Sequence, residues 1–352
     1  MKVFAYFIEP ASYTLDLINN IHDKLGIDFL FINNTSQVKS DDSLPNDKFL
    51  SNKSWISKIR FLKKKRRESD LIIVNGYNNY PFILTFLFNF FSFNRKYIAT
   101  ESDTKLRIPS NYIKRIIKSF CLNIIFRNKY VLGYAGGSET HKELFLYYGM
   151  NVKRIFIIPM MINNQKYYIN EKVQPELFTF LFVGRFLSTK NVNILCEVFE
   201  SSFSDKNAKL VLVGEGGCFN DCKSTFLSDK IEFKGSVFGK ELIDIYQNSS
   251  VFVFPSTLEQ WGLVVNEALA SSLPVIAHKE VGSVFDLIKG KETGFVIENW
   301  TELEDKMLEL YNNSELCKQF SENAARLMKE KWNYEMYKNN LLESFKFIGI
   351  CV

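Results

Sequence analysis

Short apolar runs separated by amphipathic stretches recur along nearly the whole 352-residue chain, and this alternation restricts the possible folds more than any other feature. Val3 to Ile8, Phe29 to Ile32, Leu71 to Val74, Lys96 to Ala99, Val131 to Tyr134 and Ile155 to Ile158 form a first series. Phe178 to Val183, Lys209 to Val213, Lys230 to Phe233, Val251 to Phe254, Pro274 to Ala277 and Gly294 to Ile297 form a second. Runs of this length read as buried strands, and the segments between them as helices. Parallel strands joined by right-handed helical crossovers give an α/β class, here two doubly wound, Rossmann-like domains facing across a cleft. The polar segment Met161 to Glu176, with Pro159 and Pro175 at its margins, reads as the linker. The predicted domains are therefore residues 1–165 and 166–333, followed by a helical tail, about 334–352, that has no strand after it.

Charge divides the chain at the same place. The net formal charge of +5 resolves into +12 over residues 1–168 and −7 over the remainder. A basic half beside an acidic one points to an anionic partner for the first half, a membrane surface or a nucleic acid. The basic residues concentrate in Lys58 to Arg67 and in Lys114 to Phe120, interleaved with Ile, Leu and Phe. That mixture suits an interfacial helix on anionic lipid, and no nucleic-acid recognition motif accompanies it. Tyr80 to Phe93 lacks charge but is shorter than a membrane span, so it reads as a buried or interfacial helix. Six scattered cysteines, without a leading charged-then-apolar segment, fit reduced thiols in a cytoplasm. Cys218 and Cys222 have no second ligand pair nearby, so no structural metal is expected.

In open α/β sheets ligands bind beyond the carboxyl ends of the strands, which directs attention to two strand-to-helix junctions. In the first, Val183-Gly184-Arg185-Phe186-Leu187-Ser188-Thr189-Lys190-Asn191, a glycine allows close approach and two cations can flank a polyanion. In the second, Phe254 to Ala270, Glu259 lies in the loop and Glu267 in the helix that follows, so both can face one pocket. Between them Gly262, Leu263 and Val264 stand at the helix start, where free amides bind phosphate. Carboxylates accept hydrogen bonds from hydroxyls, so the pair of junctions implies a ligand that is part phosphate and part polyol.

The sequence Glu259-Gln-Trp-Gly-Leu-Val-Val-Asn-Glu267-Ala-Leu-Ala, followed by Leu273-Pro274-Val275-Ile276-Ala277, resembles the Glu-x7-Glu signature of glycosyltransferase family 4. Phe182 to Arg185 with Lys190-Asn191, Leu212 to Gly216, Phe233-x-Gly235-x-Val237 and Gly294-Phe295 match that pattern in order. The resemblance implies the GT-B fold, with the last helix crossing back to the first domain. It implies retaining transfer from a nucleotide sugar, UDP- or GDP-linked, to a lipid-linked or glycan acceptor, of the kind used in bacterial surface polysaccharide assembly. By the same resemblance Arg185 and Lys190 contact the donor diphosphate, Glu267 the ribose hydroxyls and Glu259 the sugar near the reacting carbon, while Gly184, Gly262, Leu263, Val264, Gly235 and Val237 complete the donor site. Arg185, Lys190 and the helix-start amides can stabilise the leaving diphosphate in place of a divalent metal, and neither a metal nor another cofactor is expected. The expected setting is the inner face of the plasma membrane.

The first half departs from the family pattern. Glu9-Pro10-Ala11-Ser12-Tyr13 replaces a Gly-rich turn, and Thr100-Glu101-Ser102-Asp103 stands where a histidine is usual. Glu101 is a candidate donor or acceptor contact and equally a plain loop carboxylate; Ser138 is an acceptor-side candidate and equally a helix N-cap. His141 and His278 read as surface or supporting residues. The other readings of the chain are a nucleotide-sugar epimerase on the same fold and a non-catalytic membrane-surface protein. A nicotinamide enzyme would need Gly-x-Gly-x-x-Gly after the first strand, and residues 1–40 lack it.

Overall fold

A computed structural model describes residues 2–35, 44–169 and 175–350. The chain forms two compact units, one of residues 1–161 with 334–352 and one of residues 162–333. Each is built on a six-stranded, wholly parallel sheet.

In the first unit β1 (Val3–Phe7), β2 (Asp28–Phe31), β3 (Leu71–Asn75), β4 (Tyr97–Ser102), β5 (Val131–Ala135) and β6 (Ile155–Ile157) lie in the order β2-β1-β3-β4-β5-β6. The connecting helices are α1 (Ser12–Leu17), α2 (Trp55–Glu68), α3 (Tyr80–Phe90), α4 (Tyr112–Arg127) and α5 (Lys142–Tyr147). The step from β1 to β2 runs one way along the sheet and every later step the other way. Right-handed crossovers therefore put α2 to α5 on one face and α1 on the opposite face. The core bears this out: Leu62 of α2, Phe82 and Phe86 of α3, Leu122 and Phe126 of α4 and Leu144 and Phe145 of α5 bury together against Phe4, Tyr6, Ile72, Val74 and Ile98.

The uncharged stretch of the sequence is α3, whose Phe82, Thr85, Phe86 and Asn89 are buried. No helix among the described residues is long and apolar enough to cross a membrane. Helix α14 (Tyr334–Phe347) covers the α1 face: Tyr134 Oη and Ser344 Oγ are 2.6 Å apart, and the Asn340 amide donates to Ile157 O at 2.8 Å.

In the second unit β7 (Phe178–Val183), β8 (Ala208–Val213), β9 (Ile231–Gly235), β10 (Val251–Phe254), β11 (Val275–His278) and β12 (Gly294–Ile297) take the order β12-β11-β10-β7-β8-β9. Its helices are α6 (Asn164–Tyr167), α7 (Val192–Phe203), α8 (Phe219–Thr225), α9 (Gly239–Gln247), α10 (Leu263–Ala270), α11 (Val284–Leu287), α12 (Trp300–Asn312) and α13 (Ser314–Glu330). The segment read as a linker thus contains a helix. The Asn164 amide donates to Met328 O and to Trp332 O, both at 2.8 Å, which fixes α6 within this unit. Residues 170–174 of that segment lie outside the described ones.

Candidate active site

Both sheets reverse their winding direction beside their first strand, at β1/β3 in one unit and at β7/β10 in the other. At such a point the loops leaving neighbouring strands diverge and open a crevice. In the second unit these loops are held together by glycines. Gly184 N donates to Val213 O at 3.0 Å, Phe186 N to Glu215 O at 3.0 Å and Gly214 N to Gly235 O at 2.7 Å. Gly214 has φ +127°, and a Cβ there would stand 1.9 Å from Gly184 O. Only glycine lets the turns after β7 and β8 touch through their backbones, which explains the spacing of Gly184, Gly214 and Gly235.

Lys190 closes a 3₁₀ turn, Ser188–Lys190, and is followed by Asn191 in the left-handed conformation at φ +53°. Asn191 tolerates that conformation and uses its amide to brace the site, donating to Pro255 O at 2.9 Å and to Thr257 Oγ1 at 3.2 Å. Thr257 N returns a bond to Thr189 O at 2.9 Å. The loops after β7 and β10 are thereby locked, and Lys190 Nζ forms an ion pair with the Glu259 carboxylate. The ammonium is buried and also lies 4.8 Å from the Phe254 ring centre. Arg185, earlier on the same loop, is exposed.

Gly262 precedes α10 at φ +90°, and a Cβ there would come within 3.1 Å of Glu259 Cγ. Glycine therefore allows Glu259 to fold against the helix start, where the Leu263 and Val264 amides begin α10. Trp261 is fully buried, donates to Asn266 Oδ1 at 2.8 Å and stacks on Trp332 at 5.4 Å, anchoring the loop. Glu267 accepts a 2.8 Å hydrogen bond from Tyr246 Oη. Burial pushes its carboxyl up to about 7, against the opposing pull of hydrogen bonds from Tyr246 and Tyr167. Val237 is buried beside Gly235, the last residue of β9. The candidate residues thus gather at the ends of β7, β8, β9 and β10, but the two glutamates have separate partners, Lys190 for Glu259 and tyrosine for Glu267. Tyr246 and Tyr167 carried no sequence signal, because they come from α9 and α6, outside every motif.

The first unit's switch point holds a cavity of about 220 Å³. Glu9 after β1, Asn75 and Asn78 at β3, Glu101, Ser102, Asp103 and Thr104 at β4, and Tyr337 from α14 are among its lining. Among the described residues no Lys, Arg or His lines it. Glu101 belongs to the strand itself and not to a free loop: its carboxylate accepts from Tyr337 Oη at 3.1 Å and from the Asn75 amide. Burial raises this carboxyl to about 7, outweighing those two hydrogen bonds. The Tyr337 hydroxyl also meets His22 Nε2 at 3.3 Å, and His22 is fully buried, which lowers its pKa to about 3.

Ser138 is not among the described lining of this cavity, and α5 begins four residues later, at Lys142, with His141 at its N-cap position. Gly136 lines the cavity instead. Of the two readings given to His141 and His278, surface or supporting, burial leaves the second; the His278 ring packs 5.6 Å from Trp300. Among the described residues no three His, Cys, Asp or Glu side chains converge as metal ligands.

Two parallel-sheet units of this topology define the GT-B architecture. HepE from Anabaena, solved in complex with UDP, superposes with a TM-score of 0.76 at 14% identity, covering 98% of this chain and 100% of that one. Residues 165–327, nearly all of the second unit, match the family model for glycosyl transferases group 1. Similar sequences include an uncharacterized glycosyltransferase of Methanocaldococcus jannaschii, 28% identical over 66% of this chain and 61% of its own length. The capsular polysaccharide biosynthesis glycosyltransferase CapM of Staphylococcus aureus is 27% identical over 48% of this chain and 46% of its own. The chain therefore spans less than two thirds of the length of these relatives.

Proposed function

We propose that the protein transfers a sugar, with retention, from a nucleoside diphosphate sugar to a hydroxyl of a glycan or lipid-linked acceptor in surface polysaccharide assembly. The observation that carries this reading is the locked pair of loops at β7 and β10. It holds one buried cation, Lys190, and the start of α10 beside a carboxylate, Glu259, within the segment that matches the model for glycosyl transferases group 1. The capsular relative supports the polysaccharide setting and the UDP complex of HepE supports a uridine donor.

In this reading the diphosphate takes Lys190 from Glu259, and Arg185 closes on it from the exposed side. As the bond from the anomeric carbon to the diphosphate oxygen breaks, negative charge grows on the phosphate, and Lys190, Arg185 and the Leu263 and Val264 amides stabilise it. Glu259, released, faces the sugar, and Glu267 accepts from the ribose hydroxyls. The acceptor hydroxyl bonds to the anomeric carbon on the face the phosphate leaves and passes its proton to the departing diphosphate oxygen. These groups supply the charge a divalent metal would otherwise supply, so activity is expected to persist in excess EDTA. Loss restored by magnesium or manganese would refute that part. A peripheral place on an anionic inner membrane surface belongs to the same reading.

The test is a thermal-shift screen of UDP-, GDP- and ADP-sugars, followed by product NMR. One nucleotide class should stabilise the protein, and the product should keep the donor's anomeric configuration. No stabilisation by any of them would overturn the reading, and an epimerised sugar formed without acceptor would favour the epimerase.

A further inference from the structure

The two basic helices singled out in the sequence differ in how they are used. Helix α2 spends much of its charge inside its own unit. Arg66 is buried and donates to Asn94 O at 3.0 Å, Lys65 lies 4.3 Å from the Phe4 ring centre and Lys63 4.9 Å from that of Phe88. Its large apolar exposures are confined to its first turn, Trp55 and Ile56. Helix α4 is attached to the sheet only through its second half, by Leu122 and Phe126. Its first ten residues, Tyr112 to Cys121, include no buried side chain, although Tyr112, Ile113, Ile116, Ile117 and Phe120 are among them.

With Ile124, these five occupy about 140° of the circumference at 100° per residue, on the side away from Leu122 and Phe126. Phe120 is 68% exposed and Ile113 67%, so the stripe is left uncovered by the described residues of the unit. Lys114 and Arg115 fall outside the stripe, one beyond each edge, whereas Lys118 lies opposite it and donates to Arg107 O at 2.8 Å. From residue 104 to 138 the chain carries seven Lys or Arg and no Asp or Glu. A protein partner's interface core is poor in such charge, whereas an anionic bilayer accepts both parts, acyl chains under the stripe and headgroups around the cations.

Resting on the proposed function, we infer that Tyr112 to Cys121, with the preceding loop at Lys105 to Ile108, inserts into the headgroup region of an anionic bilayer. This orients the first unit. Helices of a parallel sheet begin at the carboxyl ends of the strands, so the inserted end of α4 lies at the same edge as the cavity. Asp103 and Thr104, on the loop that leads into α4, line that cavity. The substrate class that follows is a membrane-borne acceptor whose polar head enters directly from the bilayer surface. A cavity of about 220 Å³ lined by Glu9, Glu101 and Asp103 and, among the described residues, by no Lys, Arg or His suits an uncharged or amino-bearing sugar head and disfavours a phosphate.

Vesicle sedimentation of the full chain tests this. The wild type should bind vesicles of phosphatidylcholine with 30% phosphatidylglycerol and bind pure phosphatidylcholine far more weakly. The variant Ile113→Ser, Ile116→Ser, Phe120→Ser should lose at least tenfold in partition. Lys114→Gln with Arg115→Gln should lose about 25-fold, at about fivefold per cation. Because none of these residues is buried, unfolding temperature and stabilisation by nucleotide sugars should be unchanged, which separates failure of the docking from failure of the transferase reading. In the variant Ile117→Trp the added indole should be quenched by brominated acyl chains in anionic vesicles. Wild-type partition in the apolar variant, equal binding to both vesicle types, absence of quenching, or a dimer in solution that the apolar variant dissolves would each overturn the inference.

Discussion

The two units place charge at their sites differently. The half that is +12 overall encloses a cavity whose described lining includes three carboxylates and no cation, whereas the half that is −7 sets Lys190 against Glu259 with Arg185 on the same loop. The same topological device, a winding reversal beside the first strand, therefore serves two chemistries. In the proposed reading one is an anion site at buried Lys190, exposed Arg185 and the start of α10, the other a polyol pocket of oxygens and amides. Net charge reports what the outer surface meets. The few side chains at the strand ends report what the crevice binds.

The comparison is broken most directly by removing the buried cation. Lys190→Ala should lower turnover by about 10²–10³-fold, the usual loss for one preorganised group facing charge that grows in the transition state. Steady-state kinetics would show it, and unchanged turnover would leave the second unit's crevice without its proposed role. Glu267→Ala should act on affinity instead. Losing hydrogen bonds from a charged acceptor to the ribose should weaken donor binding about 10–100-fold with turnover little changed, because those bonds persist from ground to transition state. Calorimetry with the donor separates this from the Lys190 effect.

Tyr337→Phe sharpens the comparison on the other side. It leaves Glu101 and His22 short of a buried partner inside the first unit, and should cost about 1–3 kcal/mol of stability. Denaturant unfolding, with donor affinity unchanged, is the measure.

The second unit was far more legible in the sequence than the first, for a physical reason. Its site is made of loops whose glycines, Lys190, Asn191 and Glu259 must keep fixed spacing to let backbones touch, and fixed spacing is readable. The first unit's site depends on α14 delivering Tyr337 to Glu101 across 236 positions, and no local pattern encodes that. The alternation of apolar and amphipathic runs marked all twelve strands, because a buried parallel strand has little freedom of composition. Helix α6 escaped because four polar residues form a helix only when Asn164 is held by Met328 and Trp332. The basic helices looked alike in sequence, since which face of an amphipathic segment meets the sheet depends on where the crossover lands.

One likeness between the units survives the contrast and makes stability depend on pH. Each site holds a carboxyl, Glu101 or Glu267, that burial raises from 4.5 to about 7 beside a tyrosine hydroxyl. The folded protein then binds more protons than the unfolded chain between these values. Their contribution to stability is fully present below about pH 4.5 and is lost as pH rises through about 7. The unfolding temperature should accordingly fall between pH 5 and 8, each carboxyl accounting for at most roughly 3 kcal/mol at 1.36 kcal/mol per pKa unit. Glu101→Gln and Glu267→Gln remove the titrating proton while keeping the shape, so each should flatten part of that slope and the double variant most of it. The donor should separate the two. If Glu267 takes ribose hydroxyls as an ionised acceptor, saturating nucleotide sugar lowers its pKa and removes its share of the slope, leaving that of Glu101. A slope that the donor leaves untouched, but that Glu267→Gln still flattens, would show that Glu267 titrates without meeting the ligand.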